Sequence, residues 1–151
     1  MTIHDFETVF QFSKTADGWK ILKPVHTDAE ESTVNSFLTS LTAAKKSRTF
    51  AVKEIDKAGY GLKNPQVRIF VSDNKGVHDS IGLGDKTSIG SNMYASKGDS
   101  NVFISPISLK NAAQKTLFSW RDKRAIKLEK DAVRAFSLKS PSGEFKFEKE
   151  G

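Results

Sequence analysis

The sequence predicts an α+β fold built on a mostly antiparallel sheet, with two main amphipathic helices at about 28–46 and 107–120. Three observations carry this prediction. Short segments that alternate apolar and polar residues outnumber the helical segments, tight turns join neighbouring strands, and two stretches repeat apolar residues at helical spacing. A parallel α/β sheet, in which helices alternate with continuously apolar strands, is therefore not expected.

Composition sets the limits on what the chain can be. Its 151 residues can form one domain with a sizeable core, and 37% hydrophobic residues with 11 Phe are too many for a disordered chain. The absence of cysteine excludes a disulfide framework, a thiol nucleophile and cysteine-ligated zinc. No apolar run approaches the roughly 18 residues of a membrane span, and no charged start leads into an apolar stretch. The sequence as given therefore predicts neither a membrane span nor a signal peptide.

Two features predict the first helix: a capping motif at its start and a stripe of apolar residues along one face. Thr27 as N-cap and Glu30 at the third helical position form a capping box. Apolar residues then follow at helical spacing as one stripe: Val34, Phe37, Leu38 and Leu41. Acidic residues near the predicted start and Lys45 and Lys46 near the predicted end match the helix dipole. A second helix is predicted from Leu109, Ala113, Leu117 and Trp120.

Alternating segments and turn residues predict the strands. Asp17-Gly18 connects the first two, Asp73 to Gly76 connects another pair, and SKGDS turns between two later ones. The predicted strands cover residues 8–13, 19–22, 48–53, 67–72, 77–81, 92–95, 102–104, 133–138 and 144–148.

The end of the chain repeats the pattern of its start. A shift of 135 residues places Phe10 on Phe145 and Phe12 on Phe147. The N-terminus leaves scarcely any room for an equivalent of the strand at 133–138. We expect Phe145 and Phe147 to lie in a paired strand and not in solvent.

The repeat defines the predicted domain organisation. Residues 1–130 form a single α+β domain, and residues 131–151 form a hairpin that resembles the start of a following repeat. An unpaired apolar strand promotes association, so the hairpin should pack on the same sheet or on a partner chain. The expected state is a monomer or a hairpin-exchanged dimer.

Two segments resemble catalytic or nucleotide-binding motifs, but each lacks features that the motif requires. GLGDKTSIG at 82–90 lacks both the Lys and the following helix of a phosphate-binding loop, so its glycines indicate a strand end with special backbone angles. His78, Asp79 and Ser80 cannot form a triad with one another, because adjacent strand residues point to opposite faces. We expect exposed histidines, core positions for Trp19 and Trp120, and no catalytic residue, cofactor or metal.

Residues 110–134 hold eight Lys or Arg against three acidic residues, a local net charge of +5. This segment predicts either a patch for a polyanion, such as nucleic acid or anionic lipid, or a solvated helix face with its loop. Acidic residues are interleaved with the basic ones, and the aromatic residues are not spaced for base stacking. Both observations favour the solvated face. Arg121 can bond the last carbonyls of the helix, with Asp122 holding it in place, or contact an acidic partner. The candidate interaction surface comprises Lys115, Arg121, Lys123, Arg124 and Lys127.

Six motifs together resemble a bacterial family known as domain of unknown function 4340. In order they are DGWKILKP at 17–24, YGLKNP before VRIFV at 60–71, IGLGDK at 81–86, MYA at 93–95, VFIS at 102–105 and FSWRDKRAI at 118–126. The resemblance covers roughly residues 9–126. It implies structural roles in turns, strand ends and caps for the matching positions Gly61, Leu62, Pro65, Gly84, Asp85, Arg121 and Asp122.

The resemblance also implies a function. Family members are similar to non-enzymatic, extracytoplasmic binding or scaffolding domains of membrane-anchored proteins, and some are linked with ABC-transporter auxiliary proteins of the gliding-motility type. The domain often occurs in tandem, and no catalytic residues are established that could be transferred. The implied partner is a protein or cell-envelope component, with membrane attachment through an anchor of the parent protein. If Met1 is the native start, the expectation becomes a cytoplasmic protein. Polyanion binding through 110–134 is the alternative, with nucleic acid the less expected partner.

Overall fold

The computed structural model describes residues 1–50, 55–98 and 101–150, and within these ranges it has the predicted α+β architecture. The strands are Thr2–Asp5 (β1), Thr8–Thr15 (β2), Gly18–Lys23 (β3), Thr27–Asp28 (β4), Arg48–Phe50 (β5), Val67–Ser72 (β6), His78–Lys86 (β7), Asn92–Lys97 (β8), Asn101–Pro106 (β9), Ala135–Ser140 (β10) and Gly143–Glu148 (β11). The α-helices are Glu31–Ala43 (α1), Ser108–Ala113 (α2) and Leu117–Trp120 (α3). Among the described residues, no helix is long and apolar enough to cross a membrane.

Nine strands form one antiparallel sheet in the order β4-β3-β2-β1-β6-β7-β8-β9-β5. Strand β1 lies near its middle, where Ile3 pairs with Phe10 on one side and with Ile69 on the other. The expectation that the N-terminus has scarcely any room for a strand before β2 is therefore wrong. Its four residues are too few to show an alternating pattern, and the strand is fixed by its two neighbours and by the full burial of Ile3.

The predicted hairpins are confirmed, with strands that are mostly longer than the apolar pattern indicated. Pairings of β2 with β3, β6 with β7 and β8 with β9 join consecutive strands. Strand β5 covers the first part of the predicted strand at 48–53 and pairs with β9. Residues 51–53 of that prediction, and residues 99–100 of the predicted SKGDS turn, lie outside the described residues.

Helix α1 begins later than the capping box predicts. Thr27 and Asp28 pair with β3 as strand β4, so Thr27 is not the N-cap. The cap position is Glu30, whose side chain makes no capping hydrogen bond. Sheet pairing of residues 27–28 satisfies the backbone groups that a capping box would otherwise serve. Lys45 and Lys46 likewise lie beyond the helix end at Ala43, whereas the predicted apolar stripe is confirmed by the buried Val34 and Phe37.

The predicted helix at 107–120 is broken into α2 and α3. Gln114 leaves helical geometry, with φ −84° and ψ 70°. Thr116 then starts the next helix, because its hydroxyl oxygen accepts a hydrogen bond from the Ser119 N–H at 3.3 Å. This N-cap at Thr116 starts a new helix, so α2 does not continue into α3, even though apolar residues at helical spacing extend across the break.

The core lies between the sheet and the helices, and Trp120 is its largest fully buried side chain. Its ring centroid lies 6.4 Å from Phe10, 5.1 Å from Phe12 and 5.8 Å from Phe37. One indole thus touches both the first hairpin, β1–β2, and helix α1. The core position predicted for Trp120 is confirmed, and Trp19 packs partly buried against the same cluster.

Strands β10 and β11, called the tail hairpin below, form a separate two-stranded sheet. Both Phe145 and Phe147 lie in the paired strand, as expected, but their side chains are exposed. In this chain the hairpin does not join the nine-stranded sheet. Packing on a partner chain, and the division at residue 130, stay predictions.

Replacing Trp120 with alanine should lower the free energy of unfolding by about 3–5 kcal/mol, because it removes the largest buried side chain and leaves a cavity. Phe118→Ala, on the same one-turn helix, is the matched control. Its ring is 61% exposed, so its loss should change the free energy by no more than about 0.5 kcal/mol. Urea denaturation of both variants measures the difference, and equal effects would contradict the packing described above.

Candidate functional site

The segment after α3 is fixed by backbone hydrogen bonds to the start of α1. The Glu30 N–H donates to the Trp120 carbonyl at 2.7 Å, and the Asp122 N–H donates to the Asp28 carbonyl at 2.9 Å. Ala29 and Arg121 form the antiparallel bridge between these two bonds. On its other side Ala29 donates to the Trp19 carbonyl of β3 at 2.9 Å. Residues 28–30 therefore connect the sheet to residues 120–122, and these contacts are called the clamp below.

An exposed aromatic ring with two cations projects from the clamp. Phe118 is exposed, with the Arg121 guanidinium 5.3 Å and the Lys123 ammonium 5.4 Å from its ring centroid. The Lys123 ammonium also donates to the carbonyls of Phe118 and Arg121, each at 3.4 Å. Cations at this distance are attracted by the face of an aromatic ring. These three residues form what we call the Phe118 surface.

Asp122 holds the next two basic residues away from that ring. Its carboxylate accepts hydrogen bonds from the Arg124 guanidinium at 2.9–3.1 Å, and the Lys127 ammonium lies 3.6 Å away. Lys127 also pairs with Asp28. The hydrogen bonds from the Arg124 side chain, followed by that from its backbone N–H, lower the pKa of Asp122. Its side chain is 5% exposed, so these ion pairs form part of the folded segment.

The five predicted interface residues are thus divided by the structure. Arg121 and Lys123 face Phe118, Arg124 and Lys127 bind acidic groups, and Lys115 lies in the turn between α2 and α3. The expected pairing of Asp122 with Arg121 is wrong, since Asp122 binds Arg124. Arg124 reaches Asp122 two residues back in the irregular loop, and Arg121 turns to the ring instead.

The sequence did not predict the exposed apolar residues of this segment. The apolar spacing predicts one longer helix that includes Phe118, and no pattern in the sequence assigns a position to Ile126 or Leu128, yet all three are exposed. The signal was present, because Phe118 and Trp120 are two residues apart and cannot share one face of a helix. Once Trp120 is buried, Phe118 must point elsewhere.

A second candidate region surrounds His78, Asp79 and Ser80 on β7, which line an open cavity of about 660 Å³. The Asp79 carboxylate accepts a hydrogen bond from the Ser80 N–H at 2.9 Å and forms an ion pair with Lys97 at 2.5 Å. The Lys97 side chain is the main cause of the lowered pKa of Asp79. Asp79 thus orients Lys97 and not His78, and the three neighbours form no triad. His4, His26 and His78 are exposed, as predicted.

The glycines of GLGDK serve close packing. A Cβ atom on Gly84 would lie 2.4 Å from the Tyr60 carbonyl oxygen, which accepts a hydrogen bond from the Asp85 N–H at 3.0 Å. Gly82 and Gly84 are not among the residues with positive φ, so the expectation of special backbone angles is wrong for these two, whereas Gly90 of the longer motif GLGDKTSIG has φ 78°. The loop at 56–62 instead lies directly against β7, and its Leu62 is buried.

A family model described as Domain of unknown function (DUF4340) matches residues 19–151. The chain belongs to this family. No curated protein and no solved structure shows a significant match to the chain. The DUF4340 match begins at Trp19 and includes the tail hairpin, whereas the motifs indicated a resemblance over roughly 9–126.

The DUF4340 motifs correspond to packing contacts in the structure. A Cβ atom on Gly82 would meet Pro65 at 3.0 Å, and one on Gly61 would meet the Asp85 carboxylate at 2.7 Å. Arg121 and Asp122 belong to the clamp. These contacts agree with the structural roles that the resemblance implied.

Asp122→Asn should weaken the ion pairs of the Asp122 side chain with Arg124 and Lys127 in a pH-dependent way. Because the folded pKa of Asp122 lies below its ordinary value of 3.8, its ion pairs stabilise the fold above that value and are lost as the pH falls through the lower, folded value. The variant should melt below the wild type at neutral pH, and the two melting temperatures should converge in acid. Asp131→Asn, an exposed acid of the same segment, is the control and should melt like the wild type throughout. A constant difference down to about pH 2 would contradict the assignment.

Proposed function

We propose that this chain is a non-enzymatic binding domain that contacts a protein partner through the Phe118 surface. The observation that supports this proposal is an exposed aromatic ring, flanked by two cations, on a segment that the clamp holds in place. Aromatic residues and arginine are enriched at the centres of protein interfaces, where a few of them supply most of the binding energy. A fixed backbone reduces the entropy lost when such a surface binds.

The chemistry of the surface favours a partner with acidic groups beside an apolar patch. Arg121 and Lys123 would pair with carboxylates while the Phe118 ring is buried. Exposed Ile126 and Leu128 extend the apolar character of the same segment. Arg124 and Lys127 already bind Asp122 and Asp28, so two of the eight basic residues of the segment are less available to a polyanion.

The family resemblance supports a cellular setting for this binding. We propose that the parent protein is membrane-anchored and presents this domain on the extracytoplasmic side, as an accessory component of an ABC-type transporter. The partner would then be a protein of the cell envelope. Protease accessibility of the tagged parent in spheroplasts tests the location: digestion without lysis is expected, and protection until lysis would contradict it.

Site-specific photo-crosslinking tests the binding surface. A photoreactive phenylalanine analogue at position 118 of the parent protein, in its native host, should give a discrete crosslinked product. The same analogue at Ile89, which is more exposed than Phe118, should not give that product. Adding Arg121→Glu and Lys123→Glu should reduce the yield at least about tenfold, as expected when two cations of an interface centre are reversed. Identical products from positions 118 and 89, or none from 118, would contradict the proposal.

A salt titration separates the protein-binding function from polyanion binding. The chain is mixed with duplex DNA or with vesicles containing anionic lipid, and affinity is measured against salt concentration. We expect weak binding that is insensitive to Phe118→Ala. Tight binding that falls steeply with salt, and that is lost when Lys115, Arg121 and Lys123 are neutralised, would favour the polyanion alternative instead.

A further inference from the structure

The tail hairpin repeats the pairing register of the first hairpin, β1–β2. Moving each paired residue of the first hairpin by 135 positions gives a pair that the tail hairpin also forms. Ile3 pairs with Phe10, and Leu138 pairs with Phe145. The other three pairs correspond in the same way: Thr2–Gln11 to Ser137–Lys146, His4–Val9 to Lys139–Glu144, and Asp5–Thr8 to Ser140–Gly143. Two residues connect the strands in both hairpins, so the correspondence extends over both strands and the length of the turn.

The apolar side chains correspond in the same way but differ in burial. In the first hairpin Ile3, Phe10 and Phe12 are at most 4% exposed. Their counterparts Leu138, Phe145 and Phe147 are 46–57% exposed. A fourth counterpart, Phe136, stacks on Phe147 with ring centroids 4.7 Å apart and corresponds to Met1, which packs partly buried against the core. Successive strand residues point to opposite sides, so these four tail residues share one face.

The first hairpin shows what covers such a face. Phe10 and Phe12 contact Trp120 of α3, whose indole in turn contacts Phe37 of α1. Strand β3 pairs with the outer edge of β2, and strand β6 pairs with the outer edge of β1. The equivalent outer edges of β10 and β11 have no strand beside them within the part of the chain that the structure describes. A lone two-stranded hairpin is only marginally stable in water, which makes a cover favourable.

We infer that the apolar face of the tail hairpin is a docking site for a second unit with the sequence pattern of residues 18–130. In this arrangement Phe145 and Phe147 lie against that unit's counterparts of Trp120 and Phe37. Strands corresponding to β3 and β6 pair with the outer edges of β11 and β10. The inference rests on the shared register and on the interface that the same face forms once within this chain. It is independent of the Phe118 surface.

An extended chain tests the inference directly. Residues 1–150 are followed by a second copy of residues 16–134, which lacks a first hairpin of its own. The junction keeps Phe147 and the second Trp19 seven residues apart, as Phe12 and Trp19 are. We expect the second copy to fold, and backbone amides of residues 135–148 to exchange at least about 100-fold more slowly than in the unextended chain. Unchanged exchange in the tail hairpin, with an unfolded second copy, would overturn the inference.

Two neighbouring substitutions serve as a matched pair in the extended chain. Leu138→Asp places a charge at the counterpart of fully buried Ile3 and should abolish folding of the second copy. Ser137→Asp places the same charge on the opposite face, across from Lys146, and should leave folding unchanged. Neither should alter the melting temperature of the unextended chain by more than about 2 °C, because both positions are exposed there. Equal folding of the two extended variants would overturn the inference.

Discussion

Burial of Trp120 against the first hairpin is the contact on which the other layers of the molecule depend. The indole fills the space between the two phenylalanines of β2 and Phe37 of α1, so one residue joins the sheet to the helical layer. Helix α3 ends at Trp120. The backbone after Trp120 then runs antiparallel to residues 28–30, and the clamp joins the two segments. Core packing and backbone pairing therefore fix the same few residues.

The proposed binding surface is a consequence of this arrangement. Helix α3 is a single turn, and burying Trp120 on one side leaves Phe118 on the other. The loop that follows cannot move freely, because Asp122 binds both Arg124 and the backbone of Asp28. Arg121 and Lys123 are thus held beside the exposed ring. Binding at this site would require little ordering of the backbone, which is one of the entropic costs of binding through a loop.

The sequence predicted those features that depend on local patterns. Alternation and turn residues located most strands, and the spacing of Val34 and Phe37 located the buried face of α1. Predictions failed where tertiary pairing competed with local preference. Thr27 is a good N-cap by sequence but is used as an edge strand, and the cap at Thr116 breaks a continuous apolar stripe. The Phe118 surface was only partly predictable, since the charges were visible in composition but their division between a ring and two carboxylates depends on the folded loop.

The strand order has a consequence for how such domains can assemble. The nine-stranded sheet ends at one edge in β4, and this strand is two residues long. Such a short edge offers few backbone groups for recruiting a further strand, which protects that side of the sheet against lateral aggregation. The six-residue strands of the tail hairpin offer longer edges. Strand pairing is therefore favoured at the tail hairpin over the β4 edge, so that further units would add through this hairpin and not along that side of the sheet.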